Sequence, residues 1–403
     1  MPTLLTINNY HYRRGGADVA YLAHGEIFEQ NGWTVSYFSM HHENNLPSPW
    51  ARYFVQEIEF GRSYGPARTL QNAFKAVYSF EAASKIDSLV TAQPPDVAHA
   101  HNIYHHLSPS ILKALKKRGV PVFLTVHDAK LLCPARTMYR SAMICEDCRG
   151  GALRNVVANR CLKDSLPLSA LIYVESRLHR MLGLYGRYVD RFVAPSRFLI
   201  DKFVEWGWHA DRFVHIPNFV DATRHSPEFS AGEPFIYFGR LSHEKGLATL
   251  IRACARVRVP LWLVGDGPEE PKLRVLAEAV GAKVEFYGFR TGNDLWSLVR
   301  LARAVVLPSE CYENAPISIL EAYSLGKPVI GARIGGIPEL VRECETGWSF
   351  PSADVDGLAT VLEAVAAAPA ATVAEMGREA RRWVAAEFSA QRHYERLMHL
   401  YGQ

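Results

Sequence analysis

The chain contains no apolar run approaching the roughly 20 residues that cross a bilayer. Its opening, "MPTLLTINNY", lacks the basic segment and long apolar stretch of a secretory leader. Both absences lead to the expectation of a cytoplasmic protein. Charge of one sign is also scarce: 45 Lys and Arg face 41 Asp and Glu, a net +4 over 403 residues. That is far from the concentrated basic surface of a nucleic-acid binder, so no nucleic-acid partner is expected. It suits an anionic small substrate or an anionic membrane surface. Cysteines are few and odd in number, seven, and structural disulfides are not expected without signs of export. No G-x-G-x-x-G follows the first strand-like run, which disfavours a dinucleotide oxidoreductase. "GKP" at Gly326 lacks the Ser or Thr of a P-loop. No D-x-D pair suits a Mg²⁺–diphosphate site; "HDAKLL" and "GDGPEE" hold isolated Asp.

What is present reads as a globular α/β protein, 48% hydrophobic and 21% charged, and too long for one ordinary core. Short apolar runs alternate with helix-length periodic segments. "TLLTIN", "TVSYFS", "DVAHAH", "PVFLTVH" and "RFVAPS" read as buried parallel strands in the first half. "PFIYFGR", "PLWLVGD", "KVEFYG", "RAVVLPS" and "KPVIGA" repeat the theme in the second. Amphipathic stretches such as Ala17 to Asn31 and Pro268 to Gly281 fill the gaps as helices. This alternation implies parallel sheets covered by helices on both faces. The strands are too many for one sheet, and "IPNFVDATRHSPEFSAGEP" is the natural break. We therefore expect two doubly wound, Rossmann-like domains facing across a cleft. The first spans residues 1–220, with a last helix, 388–403, packing back on it, and the second spans 221–387. The segment from Ala129 to about Leu166 is the longest without periodicity.

In open parallel sheets, ligands bind beyond the carboxyl ends of strands. After the first strand, Gly15 and Gly16 precede a helix, where backbone N–H groups approach an anion closely; the plain alternative is a tight turn. His127 ends another strand and projects into the cleft, as a ligand contact or as a structural hydrogen-bonding group. In the second half, Arg240 and Lys245 share one loop and suit a diphosphate, against the reading of a solvated loop. Gly267 lies in the turn after "PLWLV", and Phe289 and Arg290 follow "VEFYG", where an aromatic can flank a base.

The stretch "SECYENAPISILEA" holds Glu313 and Glu321 on either side of a helix start. We expect Asn314 to cap that helix, Pro316 to fit its first turn, and the N–H groups around Ala315 and Ile317 to hold a phosphate or hydroxyl. At about 1.5 Å rise per residue the two carboxylates would stand roughly 10 Å apart. That fits a ligand with hydroxyls at both ends and a diphosphate between. A glycosidase acid–base pair needs carboxyls facing across one bond, about 5–9.5 Å apart, a poor match to one loop and helix. The plainest alternative is that both are helix-start charges.

Together these residues resemble the family-4 retaining glycosyltransferases of the GT-B fold. "FGRLSHEKG", "LVGDGPEE", "VEFYGFR", "LPSECYENAPISILEAYSLGKPVI" and "GGIPEL" follow in that family's order; "RRGGAD" and "TVHD" carry a weaker likeness in the first half. The resemblance implies transfer of a sugar from a UDP- or GDP-sugar to a glycan or lipid-linked acceptor, in cell-surface polysaccharide synthesis and with no metal in the chemistry. It implies that Glu313 bonds the donor sugar's hydroxyls and Glu321 the ribose. Asn314, Ala315, Pro316 and Ile317 would hold sugar and phosphate, and Arg240 and Lys245 would neutralise the diphosphate. Gly16, beside Gly15, would approach that diphosphate from the other domain. His127 would contact the sugar, and the backbone at Phe289 or Arg290 the base, with Gly267 in the same pocket. A sugar-nucleotide epimerase of the same fold is the nearest alternative, and a non-enzymatic sugar-binding module a third. The family's usual work implies a peripheral contact with the inner membrane face. The segment from Trp50 to Phe80 mixes Arg, Lys and aromatics for lipid or oligosaccharide, or for an ordinary helix face and loop.

Four cysteines, Cys133, Cys145, Cys148 and Cys161, read C-x11-C-x2-C-x12-C inside the long non-periodic segment. A loop of that length needs a tie. The pattern offers a structural zinc site or, alternatively, four reduced buried thiols.

Overall fold

The computed structural model describes residues 1–58 and 66–402. Part of the Trp50–Phe80 segment, residues 59–65, therefore lies outside the described residues. The first sheet contains β1 (Thr3–Ile7), β2 (Thr34–Phe38), β3 (Val97–Ala100) and β4 (Val122–Thr125). A separate two-stranded hairpin follows, β5 (Tyr139–Arg140) with β6 (Met143–Ile144), and then β7 (Arg191–Ala194) and β8 (Phe213–His215) complete the first sheet. The second sheet contains β9 (Phe235–Phe238), β10 (Leu261–Val264), β11 (Val284–Gly288), β12 (Ala304–Leu307), β13 (Val329–Ala332) and β14 (Gly347–Phe350). Their orders are β2-β1-β3-β4-β7-β8 and β11-β10-β9-β12-β13-β14, parallel throughout.

Strand order reverses between β1 and β3 in the first sheet and between β9 and β12 in the second. At such a point the connections on either side leave to opposite faces and open a crevice at the carboxyl ends of the strands. The sequence places "NNYHYRRGG" and His101 at the first reversal, and the Arg240–Lys245 and Ser309–Glu313 loops at the second.

Residues of the central strands are buried on both faces, which is why they read as unbroken apolar runs rather than alternating ones, whereas no residue of the edge strand β11 is buried. The helix Ala390–Tyr401 contributes Leu397 and Tyr401 to a core with Leu4, Phe28 and Trp33, although it follows the second sheet in sequence. The chain thus crosses between the units twice. The crossings are joined by the Val220 N–H donating to the Phe388 carbonyl at 3.0 Å. We propose units of 1–220 with 388–403, and 221–387, because both crossings fall there.

A buried ion pair anchors the start of the long segment after β4. Lys130 Nζ donates to Glu175 Oε2 at 3.1 Å and to the Pro134 carbonyl at 2.9 Å, while His105 Nδ1 lies 2.9 Å from the same carboxylate oxygen. The Lys130 and Glu175 side chains are 5% and 1% exposed. Burial pushes the Glu175 carboxyl up, but Lys130 and His105 outweigh it and hold it at about 2. Its contribution to stability is present above the ordinary carboxylate range and is lost as pH falls towards about 2. Glu175→Ala strands a buried ammonium, so urea unfolding at pH 7 should show a loss of about 3–5 kcal/mol. A variant as stable as wild type would show that the pair anchors nothing.

Candidate active site in the cleft

The second sheet's reversal point delivers two loops to one place. Lys245 Nζ lies 2.6 Å from Glu313 Oε1, and Ser309 Oγ donates to the same oxygen at 2.6 Å. Burial pushes the Glu313 carboxyl up, but Lys245 and Ser309 outweigh it and leave it below the usual range. Lys245 is likewise held above its ordinary value against its burial. The pair is a fixed charge couple at neutral pH. Behind it, Gly336 N–H donates to the Glu313 carbonyl at 2.8 Å. Gly335 has φ +59°, and a Cβ there would lie 2.3 Å from that carbonyl oxygen. The left-handed backbone and the close approach both require glycine. Gly267, after β10, presses similarly on the Leu241 carbonyl, where a Cβ would come within 2.2 Å.

Asn314 does not cap the helix, contrary to expectation. The helix spans Ile317–Ser324, and Pro316 occupies the cap position with φ −65° and ψ 117°. Asn314 instead reaches into the first unit. Its Nδ2 donates to the carbonyls of Val126 at 3.0 Å and His127 at 3.2 Å, and its Oδ1 accepts from Ser196 Oγ at 2.6 Å. Three bonds across the cleft outweigh one local cap. The correction also removes the helical-rise argument for the Glu313–Glu321 separation, because residues 313–316 precede the helix. Two further bridges flank Asn314. Asn218 Nδ2 donates to the Ala315 carbonyl at 2.8 Å, and the Glu339 carboxylate accepts from the N–H groups of Arg197 and Phe198 at 2.9 and 2.6 Å.

Two helix N-termini meet here. Helix Gly16–Gln30 starts after Gly15, and no side chain caps either it or helix Ile317–Ser324. A Cβ on Gly16 would lie 3.9 Å from Ile317 Cδ1, so the two helix starts face one another. Both bring partial positive charge to the cleft. Arg240 is exposed, and among the described residues its side chain makes no hydrogen bond or ion pair. Lys245, expected with it at the diphosphate, is ion-paired with Glu313. The Glu321 carboxylate, on helix Ile317–Ser324, has no hydrogen-bond partner among the described residues, and burial pushes it up to about 7. Phe289 is 62% exposed at the end of β11, beside the exposed Arg290.

On the first unit, half-buried His127 accompanies the buried His24, His99 and His101 and the half-buried His393. A narrow cavity is lined by His24, His101, His127, Ile317 and His393, among others. His101 Nδ1 lies 3.0 Å from His127 Nε2, and the rings stack at 5.3 Å. Burial lowers His127 and His393 to about 4. His127 is therefore neutral at pH 7, a hydrogen-bonding group rather than a proton carrier. Ring nitrogens of His24, His99 and His101 lie within 4.8 Å of one another. Those of His99 are taken by Thr125 Oγ1, at 2.7 Å, and by the Tyr401 hydroxyl, so these histidines form a hydrogen-bonded network docking the C-terminal helix. Sequence reasoning missed that network, along with Ser309, Ser196, Asn218 and Glu339. "GGIPEL" carried the one available signal, since it pairs close-approach glycines with a carboxylate.

The raised Glu321 carboxyl gives a pH test. Its folded value lies above the unfolded one, so the protonated form is favoured in the fold and the benefit is lost as pH rises through about 7. Glu321→Gln should melt higher than wild type at pH 8, with the gap closing by pH 5. An equal gap at both values would contradict the unpaired carboxyl.

Comparison with known proteins follows this geometry. The family model "Glycosyltransferase Family 4" matches residues 14–224, and "Glycosyl transferases group 1" matches 221–383. The lipopolysaccharide core biosynthesis glycosyltransferase LpsE of Rhizobium meliloti is 31% identical over 193 residues, 45% of this chain and 56% of that protein. Other curated relatives are matched over about half of their length. Sucrose-phosphate synthase from Thermosynechococcus elongatus superposes with a TM-score of 0.74 at 20% identity, covering 100% of this chain and 99% of the other. HepE of Anabaena, in complex with UDP and glucose, gives 0.67 at 19% identity, covering 100% of both. The two sheets and their facing reversal points are the GT-B architecture, and the chain belongs to Glycosyltransferase Family 4.

Proposed function

We propose that the protein is a retaining glycosyltransferase that moves a sugar from a nucleoside-diphosphate sugar to a glycan or lipid-linked acceptor in cell-surface polysaccharide synthesis. The observation that carries this reading is the meeting of two uncapped helix N-termini at the end of the loop that holds the Lys245–Glu313 couple, where the second sheet reverses and Arg240 follows β9. Such a site stabilises a leaving diphosphate as its charge develops. Glu321 then faces the ribose hydroxyls and Glu313 those of the sugar, while neutral His127 touches the sugar from the first unit. The bond from the anomeric carbon to phosphate breaks, the acceptor oxygen bonds that carbon on the same face, and its proton passes to the departing phosphate. No cofactor takes part in this chemistry. The names of LpsE and HepE, one a lipopolysaccharide core enzyme and the other bound to UDP and glucose, support this donor and acceptor class. The epimerase alternative draws no support from these relatives. We place the protein in the cytoplasm, reaching its acceptor at the inner membrane face. No single helix among the described residues is long and apolar enough to cross a membrane.

Two carboxylates with different duties give a divided mutational result. Glu321→Ala should weaken nucleoside-diphosphate binding about 10–100-fold in calorimetry, the worth of a charged hydrogen-bonding group. Glu313→Ala should bind the free nucleotide nearly as wild type and lose turnover. Unchanged nucleotide affinity in Glu321→Ala would overturn the assignment of the two ends. Transfer should also persist in brief EDTA treatment; immediate loss that Mg²⁺ restores would contradict a leaving group held by Arg240, Lys245 and backbone dipoles.

A further inference from the structure

The segment between β4 and the helix Leu166–Met181 has little to hold it together. Its own apolar cluster consists of Cys148, Leu153 and Val156, closed by Ile172 from that helix. Yet it adopts one defined path, with Arg136, Met138, Ser141, Ala142, Arg160, Lys163 and Asp164 all at positive φ. For non-glycine residues such backbone persists only where the surroundings impose it.

The four cysteines converge in this segment. Each thiol lies within electrostatic range of the other three. Cys148 is buried in the cluster and Cys161 packs against it. The Arg136 N–H donates to the Cys133 carbonyl at 2.7 Å, closing a turn after that cysteine. The Cys145 N–H donates to the Met138 carbonyl at 2.8 Å, tying the C-x2-C turn to that same loop, and Arg149 N–H closes the turn on the Glu146 carbonyl at 2.9 Å. All four cysteines are free. We propose that Cys133, Cys145, Cys148 and Cys161 bind one Zn²⁺ through four sulfurs, and that this metal sets the position of the loop carrying Glu313. No three of the sulfurs lie within 4.8 Å of one another, so a four-sulfur site with Zn–S bonds of about 2.3 Å requires this segment to draw them closer.

The second half of the proposal follows from what the segment touches. Glu146, between Cys145 and Cys148, accepts from Tyr312 Oη at 3.1 Å and from Lys202 Nζ at 3.0 Å. Tyr139, on β5, donates its hydroxyl to Glu310 Oε2 at 3.2 Å. Both ends of the tripeptide preceding Glu313 are thus held by the cysteine segment. The metal takes no part in bond making and acts as a positioning element.

Elemental analysis of the whole purified protein should find about one zinc per chain. Thiol titration with a mercurial should release that zinc as four thiols react, and growth with cobalt should give the visible bands of tetrahedral thiolate coordination. Cys145→Ser with Cys148→Ser should lose the metal, while Cys344→Ser, at an exposed cysteine, should keep it. If the double variant fails to fold, zinc content and the cobalt spectrum of the wild type still decide. Less than about a tenth of an equivalent of zinc with all four thiols reactive natively, a disulfide among them, or iron in place of zinc overturns the site. Hydrogen exchange before and after zinc removal tests the coupling. Faster exchange at 309–313 as well as at 129–166 is expected, and an unchanged 309–313 overturns the positioning role. These readouts do not depend on the sugar chemistry.

Discussion

The Asn314 carboxamide is the group on which the cleft depends. It exchanges hydrogen bonds with Val126, His127 and Ser196 on the opposite unit, while the adjoining peptide carries Glu313. Three hydrogen bonds made by this half-buried amide outweigh the single bond of a helix cap. That difference is why the residue abandons the cap and why the helix begins only at Ile317. Because the anchors are the carbonyls of Val126 and His127, just after β4, the loop carrying Glu313 and the His127 backbone are fixed relative to one another.

The charges in the cleft divide by whether they are already paired. Lys245 and Glu313 satisfy each other and keep their charged forms despite burial. Arg240 and Glu321 have no such partner, and Glu321 registers this as a carboxyl raised to about 7. Two uncapped helix N-termini, an unpaired cation on the loop after β9 and an unpaired carboxyl one turn into the helix are complementary to a ligand with an anionic centre and a hydroxyl-bearing end. The histidines beneath contribute no charge at neutral pH.

Much of this was legible in the sequence, for physical reasons. Strands largely buried on both faces must be apolar, so nine of them stood out as runs; β11 was read with them as buried, although none of its residues is. Others did not stand out. β8 is three residues long and only Phe213 is buried, and β14 reads "GWSF" with buried residues only at its ends. Both are edge strands with little apolar signal. Glu313, Arg240 and Lys245 stood out as candidates because loops at the carboxyl ends of strands are where ligands bind, and Glu321 because it lies on the helix that follows. The Lys245–Glu313 pairing was not, since nothing in spacing says that residues 68 apart will touch. Asn314 was misread because a local rule was applied where a tertiary one prevailed. Ser196 and Glu339 resemble ordinary cap and surface residues until the two units meet.

The proposed front-face displacement is tested most directly by following an α-linked nucleotide sugar with the purified protein by proton NMR. Water can serve as a slow acceptor, so the natural acceptor need not be known. Observed before mutarotation, the released sugar should be the α anomer, with the nucleoside diphosphate as the other product. A β anomer would contradict retention at this site, and an epimeric nucleotide sugar formed without an acceptor would contradict transfer itself.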